Sequence, residues 1–292
     1  MKIQVLFLGC LLLCGAVGGY GQNQWTEFGG FFGVSNYLGE LQQVEFETSE
    51  IHPAYGVYMR SQVNRSIAIK MHFYKGTISG NDANYDGLLV RERNLNFESP
   101  LYEMGLQLEI TLMKFGERQQ RLAAPYLFVG CGIFHFNPQA YYQGQWIALQ
   151  PLGTEGQGLP EYPERVKYSL VQASLPLGMG FNFLIQKKVV LGFELGFRKT
   201  WTDYLDDIST TYPDIEQLEA NNPIAAKLSY RTPEYDDQAG ANPKGLDRGS
   251  SEDNDLYFFG GVTLGIVLNK KYKNDRRNYR KLVPQPGRGH LF

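Results

Sequence analysis

Apolar residues alternate with small or polar residues over many segments of this chain, and this two-residue period is the feature that most limits its fold. From Val189 to Thr202, large apolar side chains occupy every second position, while glycine, threonine and charged residues occupy most of the others. The run from Val171 to Ile185 repeats the pattern. Because successive side chains of a β-strand point to opposite faces, this period predicts strands with one apolar and one mixed face.

Eight segments of this kind predict eight strands, and the connections between them alternate in length. The strands cover about 25–37, 55–63, 66–77, 101–114, 125–136, 171–185, 189–202 and 256–268. The short connections are 64–65, 116–123 and 187–188, and the long ones are 38–54, 78–99, 137–167 and 203–255. This alternation is typical of outer-membrane barrels, which have short periplasmic turns and longer outer loops.

A sheet in lipid must close on itself, because an open edge would leave backbone groups without hydrogen-bond partners. The sequence therefore predicts an all-β fold, an eight-stranded antiparallel transmembrane up-and-down β-barrel with long extracellular loops. An even number of strands places both termini on the side of the short turns, so we expect a cell outer-membrane protein with both termini periplasmic. Aromatic residues near the predicted strand ends are expected to form interfacial girdles: Tyr37, Tyr55, Tyr126, Tyr168, Trp201, Tyr204 and Tyr257.

The composition agrees with a membrane barrel and excludes two other classes of protein. The chain of 292 residues contains 19 Tyr, 18 Phe and 33 Gly, which is too much apolar surface for a disordered chain. With 28 Lys and Arg against 30 Asp and Glu, the formal net charge is −2. The broadly basic balance typical of nucleic-acid-binding proteins is missing, so we expect no nucleic-acid partner.

The two ends of the chain differ in composition from the strand region. Residue Lys2 is followed by an apolar run from Ile3 to Val17, which is short for a membrane span of about 20 residues and typical of a cleaved secretory signal. We therefore divide the chain into a signal peptide at 1–21, the outer-membrane β-barrel at 22–269 and a basic periplasmic tail at 270–292. Cys131 is the cysteine beyond the signal, and its strand-like surroundings predict a small buried side chain.

Charged residues of both signs occur on the mixed faces of the predicted strands. A barrel of eight strands has an interior that side chains fill, so we expect these residues to pair across the lumen and to exclude a wide pore. The predicted lumen charge network is Arg60, Lys70, Glu103, Glu109, Glu194 and Arg198.

Few residues suggest chemistry, and we expect neither an enzyme nor a bound cofactor. The four His have no metal-ligand spacing. His135 could approach Ser169 in a lipid-modifying hydrolase, but a histidine of the aromatic girdle is the favoured interpretation. Asp203, Asp206 and Asp207 could bind Ca²⁺, although a solvated loop facing lipopolysaccharide is favoured over a calcium loop. No catalytic, cofactor-binding or metal residue is therefore predicted.

The near-neutral total charge is the sum of one strongly acidic and one strongly basic segment. Between Asp207 and Asp255 there are eleven acidic and four basic residues, whereas 270–292 contains eight basic residues and one acidic residue. The tail is typical of a segment that docks onto an acidic protein partner or peptidoglycan, or that stays solvated near anionic lipid headgroups. The predicted partner-binding residues are Lys270, Lys271, Lys273, Arg276, Arg277, Arg280 and Lys281.

Four longer motifs resemble one known family. They run from Phe28 to Leu41, from Tyr126 to Ala140, from Leu149 to Gly158 and from Phe197 to Tyr212. Together they resemble the PorG-type outer-membrane β-barrels of Bacteroidota, a subunit of the type IX protein secretion machinery. The resemblance covers essentially the whole predicted barrel, and the basic tail is less typical of the family.

The resemblance implies a non-enzymatic barrel that anchors the periplasmic ring of the type IX system. The implied partners are a ring lipoprotein and its ring partner, together with outer-membrane lipid and lipopolysaccharide. It also implies that Gly39 and Pro138 shape loops, and that Arg198 and Asp203 are lumen or rim charges. A lipid-modifying hydrolase and a small porin-like or structural barrel are the alternatives to this function.

Overall fold

The computed structural model describes residues 25–41, 48–64, 66–84, 87–112, 123–186, 188–236, 242–251 and 253–270. The predicted signal peptide and the tail from 271 onward lie outside the described residues. Ten strands are present: β1 (Trp25–Leu38), β2 (His52–Gln62), β3 (Ile67–Asn81), β4 (Asn96–Thr111), β5 (Ala123–Phe136), β6 (Gln139–Tyr142), β7 (Gln145–Ala148), β8 (Val171–Ile185), β9 (Val189–Thr200) and β10 (Leu256–Lys270).

Eight of these strands form a closed antiparallel barrel. Each pairs with its neighbour in chain order, with β8 following β5, and the barrel closes where β1 pairs with β10 from Trp25↔Lys270 to Leu38↔Leu256. The strands β6 and β7 form a small hairpin that continues the sheet beyond β4. The prediction of an eight-stranded antiparallel barrel is confirmed.

The long connections all lie at one end of the barrel, here called the loop end. The short turns, the start of β1 and the end of β10 lie at the opposite end, here called the turn end. At the loop end, β3 and β4 are longer than the alternation predicts. They remain paired out to Asn81↔Asn96, so part of the predicted loop 78–99 is strand. Backbone pairing continues there because Ile78 and Phe97 are buried in the core rather than solvated.

The outer surface of the barrel is an apolar belt. Phe32 and Phe181 are among the outward side chains, with 65% and 48% of their surface exposed. Inward side chains of the same strands, such as Phe31 and Glu194, are buried. A continuous apolar exterior on a closed sheet with all backbone groups paired is the arrangement that lipid requires, so the barrel is a membrane-spanning, outer-membrane type of barrel.

Short helices occur only in the loops of the described chain. They are Leu88–Arg93, Ile215–Asn221, Pro223–Ser229 and Thr232–Tyr235, with single 3₁₀ turns at Thr48–Glu50 and Asp82–Asn84. The Asp214 and Asn222 side chains cap two of these helices by accepting backbone N–H groups. In the parts of the chain that the structure describes, no helix is long and apolar enough to cross a membrane.

Two predictions about individual side chains are wrong. Cys131 is exposed on the outer face of β5, because the strand alternation turns it outward with Val129. Most of the predicted girdle aromatics are also misplaced, since only Tyr55 and Trp201 are largely exposed on the outer surface. The others point into the barrel or pack beneath the loops: Tyr37, Tyr126, Tyr168, Tyr204 and Tyr257.

Candidate functional site

The six charged residues of the predicted network lie inside the barrel and form three ion pairs. Arg60 Nε lies 2.9 Å from Glu109 Oε2. Lys70 Nζ lies 2.5 Å from Glu194 Oε2, and Arg198 Nε lies 3.2 Å from Glu103 Oε1. All six residues are at most 4% exposed. Buried charges of this kind are tolerated when each one is paired and hydrogen-bonded.

Further residues that the sequence analysis did not select complete this network. Glu27 accepts a hydrogen bond from Arg60 at 2.8 Å and another from the Tyr58 hydroxyl at 2.7 Å. His72 Nε2 lies 2.8 Å from Glu103 Oε1. The outward Phe residues at 28 and 32 place Glu27 on the inward face of β1, so the alternation contained a signal that would have found Glu27.

Buried tyrosines link the ion pairs to the barrel wall. The Tyr126 hydroxyl donates to Glu194 at 2.8 Å, and the Tyr257 hydroxyl donates to Glu103 at 2.6 Å. These tyrosines stand on β5 and β10, whereas their carboxylate partners stand on β9 and β4. The hydroxyls therefore add hydrogen bonds to carboxylate oxygens that Lys70 and Arg198 also contact, so these buried oxygens are well satisfied.

The Lys70–Glu194 ion pair crosses the lumen, whereas Arg60 and Glu27 stand on neighbouring strands. In the order of strands around the barrel, β3 and β9 are opposite each other, and Lys70 and Glu194 connect them. Arg60 on β2 reaches Asn182 on the opposite strand β8 at 3.3 Å. Side chains that meet in the middle of the lumen leave no wide channel at this level.

Aromatic residues fill the barrel interior around the Glu103–Arg198 pair and from there toward the loop end. Phe31 and Tyr74 stack with ring centroids 4.4 Å apart, and Phe134 packs against Tyr257 at 5.1 Å. This core continues into the loops through Leu205 and other buried residues. The barrel interior and the loop end are therefore one packed unit.

The loops 137–170 and 201–255 form a cap over the loop end, and Glu155 is at its centre. The Glu155 carboxylate accepts hydrogen bonds from the backbone N–H groups of Ser209 at 2.9 Å and Thr210 at 3.1 Å. It also accepts from the Tyr204 hydroxyl at 3.2 Å and pairs with Arg248 at 3.1 Å. One buried carboxylate thus holds three separate loop segments together.

Asp207 forms the second polar contact of the cap. It accepts hydrogen bonds from the Thr154 hydroxyl and, at 2.6 Å, from the Tyr168 hydroxyl. Burial raises the pKa of Asp207 to about 6, although Arg248 and these hydroxyls lower it. The motifs that begin at Leu149 and Phe197 therefore contact each other in the folded protein.

A separate group of carboxyl groups lies where β1 and β9 end and β10 begins. Glu40, Asp203 and Asp255 each place one carboxylate oxygen within 4.8 Å of the others. Tyr37 adjoins this group, since its hydroxyl contacts Asp206 Oδ2 at 2.6 Å and Asp255 Oδ1 at 3.0 Å. Tyr37 and Asp206, which are 169 positions apart in sequence, meet here only because the barrel closes between β1 and β10.

Burial and mutual repulsion raise the pKa values of these carboxyl groups. Burial raises the pKa of Asp203 to about 8, with a further contribution from the charge of Glu40 and a smaller opposing effect from Ser209. Burial also raises the pKa of Glu40, of Asp206 and of Asp255. The group therefore concentrates negative charge in a place that disfavours it.

The structure changes the interpretation of the aspartates in this loop. Asp203, Asp206 and Asp207 are all buried, so the expectation of a solvated loop facing lipopolysaccharide is wrong for these three residues. They also do not form one set of ligands, since Asp207 turns toward Thr154 and Arg248. Asp203 instead meets Glu40 and Asp255, which the sequence analysis did not connect with it.

The pair suggested for a hydrolase is not joined by a hydrogen bond in the described residues. His135 is on the outer face of β5, where its ring centroid lies 6.3 Å from that of Tyr102. The Ser169 hydroxyl donates to the backbone carbonyl of Val171 at 2.9 Å. In the described part of the chain, His135 is thus not positioned to activate this serine.

The structure does not describe the predicted partner-binding side chains of the tail. Lys270 is the last residue of β10, but its side chain lies outside the described residues. The other six basic residues, from Lys271 to Lys281, also lie outside them. Their role in partner binding stays a prediction.

Comparison with known proteins gives distant similarities to solved structures and one family. The chain is similar to Ail, the attachment invasion locus protein of Yersinia pestis, with 8% identity over 84% of this chain and 98% of that one, and a TM-score of 0.38. It is similar to the N-terminal β-barrel domain of Pseudomonas aeruginosa OprF, with 10% identity over 85% and 100% of the two chains, and a TM-score of 0.34. Neisserial surface protein A gives 7% identity over 85% and 97%, with a TM-score of 0.37.

No curated protein sequence matches the chain. The family described as domain of unknown function DUF6089 matches residues 4–230, which is more than half of the chain and includes seven of the eight barrel strands and most of the cap. The protein belongs to the DUF6089 family.

Proposed function

We propose that this protein is a non-enzymatic barrel that anchors a periplasmic protein assembly to the outer membrane. The observation that carries the proposal is the filled lumen, in which Lys70 and Glu194 join opposite strands at 2.5 Å. A barrel whose lumen is filled by paired side chains, and in whose described residues His135 and Ser169 form no catalytic pair, acts through its surfaces and termini in this proposal.

The orientation that we propose places the turn end in the periplasm. Long loops of outer-membrane barrels face the cell exterior and short turns face the periplasm. The start of β1 and the end of β10 both lie at the turn end. The chain then continues from Lys270 into the periplasm. The cap built around Glu155 faces the cell exterior in this orientation.

The partner that we propose is a periplasmic ring like that of the type IX secretion system. The resemblance of four motifs to PorG-type barrels supports this choice, and the eight basic residues of 270–292 suit an acidic protein surface. In this proposal the barrel supplies the membrane attachment, while the tail and the periplasmic turns hold the ring lipoprotein and its ring partner.

Affinity purification from detergent-solubilised outer membranes tests the anchor. The full-length protein is expected to recover the ring lipoprotein and its partner, and a chain that lacks 271–292 is expected to lose most of that recovery. A matched control replaces the exposed acidic residues Glu216 and Glu219 with Gln and should recover the ring as well as the native chain does. Failure of the full-length barrel to recover any ring protein contradicts the proposal.

Two further measurements separate the anchor from the alternative functions. The purified barrel in planar lipid bilayers is expected to give no steady conductance, and a stable open channel would support a porin-like protein instead. A His135→Ala variant is expected to leave the lipid A profile of the cell unchanged. A changed profile would support a lipid-modifying hydrolase.

A further inference from the structure

Three chain segments that are remote in sequence bring carboxylates to one point beside the closing seam of the barrel. Glu40 follows β1, Asp203 follows β9, and Asp255 precedes β10. One oxygen of each carboxylate lies within 4.8 Å of the others. Ca²⁺ is held by oxygen ligands at 2.3–2.6 Å, so oxygens on opposite sides of one ion are separated by roughly 5 Å. The separation of these oxygens fits a single ion of that size.

The burial of Asp203 and its lack of hydrogen-bond partners among the described residues distinguish this site from an ordinary cluster of acidic residues. Its side chain is 8% exposed, and although Ser209 lies near enough to lower its pKa, neither carboxylate oxygen accepts a hydrogen bond of normal geometry from any residue that the structure describes. Burial of an unpaired carboxylate is strongly unfavourable, and proteins normally pair such a group or use it to coordinate a metal. Both oxygens of Asp203 are available for a ligand.

The other carboxylates are held in place by the backbone but are not neutralised. Asp255 Oδ2 accepts the backbone N–H of Leu205 at 2.9 Å, and Glu40 Oε1 accepts that of Ser250 at 3.1 Å. Each contact fixes one oxygen and leaves the negative charge in place. In the described part of the chain, no salt bridge involves Glu40, Asp203 or Asp255.

The nearest arginine is already matched by another carboxylate. Arg93 Nη2 donates to the Glu40 backbone carbonyl at 3.3 Å rather than to the Glu40 carboxylate. Its guanidinium pairs with both oxygens of Asp82, at 2.8 and 2.9 Å. Because Asp82 compensates the charge of Arg93, the three carboxylates and the adjacent Asp206 retain an excess of negative charge.

Gly39 allows a close approach at this point. A Cβ atom at this position would overlap both Asp255 Oδ1 and the Tyr37 hydroxyl oxygen. The residue next to Glu40 thus has no side chain in the place where any side chain would displace Asp255 from the other carboxylates.

We propose that Glu40, Asp203 and Asp255 bind a hard divalent cation of the Ca²⁺ type. The bound ion replaces the missing positive charge and connects the ends of β1, β9 and β10. It thereby fastens the loop 201–255 to the seam at which the barrel closes. The site is independent of the anchoring function, because it lies at the loop end and needs no periplasmic partner.

Calorimetric titration of CaCl₂ into the full-length protein in detergent micelles, after removal of metal with EDTA, tests the proposal. The native protein is expected to bind Ca²⁺ saturably, and Asp203→Asn is expected to weaken binding at least tenfold. Asp214→Asn is the matched control, because Asp214 is an aspartate of the same loop that pairs with an exposed Lys244 at 2.9 Å. The control should bind Ca²⁺ as the native protein does.

A second measurement distinguishes cation binding from a carboxyl group that is simply protonated. Without Ca²⁺, the native protein and Asp203→Asn are expected to be cleaved in the loop 201–255 at similar rates, because burial favours the protonated, uncharged form of Asp203. With Ca²⁺, the native protein should gain protection and the variant should not.

Absence of saturable Ca²⁺ binding to the native protein overturns the proposal, and so does equal binding by the native protein and Asp203→Asn. If Asp203→Asn does not fold, Glu40→Gln takes its place with the same expected loss of affinity. A native protein whose loop Ca²⁺ does not protect from proteolysis identifies a simply protonated carboxyl group and likewise overturns the cation site.

Discussion

Lys70 on β3 and Glu194 on β9 meet at 2.5 Å in the centre of the barrel, although 124 positions separate them in the chain. The pair spans the lumen between opposite strands, and the Tyr126 hydroxyl holds the same carboxylate at 2.8 Å. The contact explains how the lumen of a barrel with charged inward residues is filled rather than open. It also determines which single substitutions the interior tolerates.

Lys70→Met is expected to destabilise the barrel by about 3–5 kcal/mol, because Glu194 then keeps a buried charge without its cation. The double variant with Glu194→Gln is expected to recover part of this loss. Urea unfolding of the barrel in detergent micelles measures both. Lys188→Met, at an exposed turn position, serves as the control and should change stability by less than about 0.5 kcal/mol. Strictly additive effects of the two lumen substitutions would contradict the pairing.

Glu155→Gln is expected to loosen the cap without unfolding the barrel. The substitution removes the charge that pairs with Arg248 and leaves one acceptor oxygen for the N–H groups of Ser209 and Thr210. Limited proteolysis should cut the loop 201–255 at least tenfold faster, while the barrel strands stay resistant. Glu164→Gln removes an exposed carboxylate whose side chain is 69% exposed and should leave the cleavage rate unchanged. A cap that is equally resistant in both variants would show that Glu155 does not hold it.

The stability of the cap is expected to fall as the pH rises through about 6. Burial raises the pKa of Asp207 from 3.8 to about 6 in the folded protein, so the folded state binds the proton more tightly than the unfolded state. The stabilisation is complete below pH 4 and is lost on deprotonation of the folded form, with a limit of about 3 kcal/mol. The groups that face Asp207 are Arg248, Glu155 and Tyr168.

Hydrogen exchange of the cap, corrected for intrinsic rates, measures this dependence. Protection of backbone N–H groups near Thr210 and Arg248 should be greater at pH 5 than at pH 7.5. Asp207→Asn should reduce the difference, since the amide does not titrate. Protection that increases with pH in the native protein would contradict the direction of the pKa shift.

Gly33→Ala is expected to weaken the closure of the barrel by about 1–3 kcal/mol through overpacking. A Cβ on Gly33 would overlap the carbonyl oxygen of Gly260 on the paired strand β10. Gly30→Ala is the matched control on the same strand, because its Cβ would lie 3.1 Å from the outward ring of Phe32, which can move. The folded fraction after refolding, read from the gel mobility of unheated samples, compares the two. Equal folding of both variants would contradict a close approach at the seam.

The alternation of side chains determined the class of fold, the faces of the strands and the arrangement of loops and turns. These properties follow from the local geometry of a strand, in which every second side chain shares a face. The same rule placed Lys70, Glu194 and Arg198 on inward faces. Glu27 was not predicted because β1 carries Phe31 on its inward face as well as Phe28 and Phe32 on its outward face, which makes the signal in the alternation weaker there.

The tertiary structure alone decided which charges meet and which acids are buried. Lys70 selects Glu194, and Asp203 meets Glu40 and Asp255, only because the eight strands close into a barrel and bring remote positions together. Burial likewise depends on how the loops fold over the barrel end, which composition does not show. An aspartate in a polar loop has the same local sequence whether solvent or a packed cap surrounds it, and this is the physical reason why the acidic loop suggested a solvated surface.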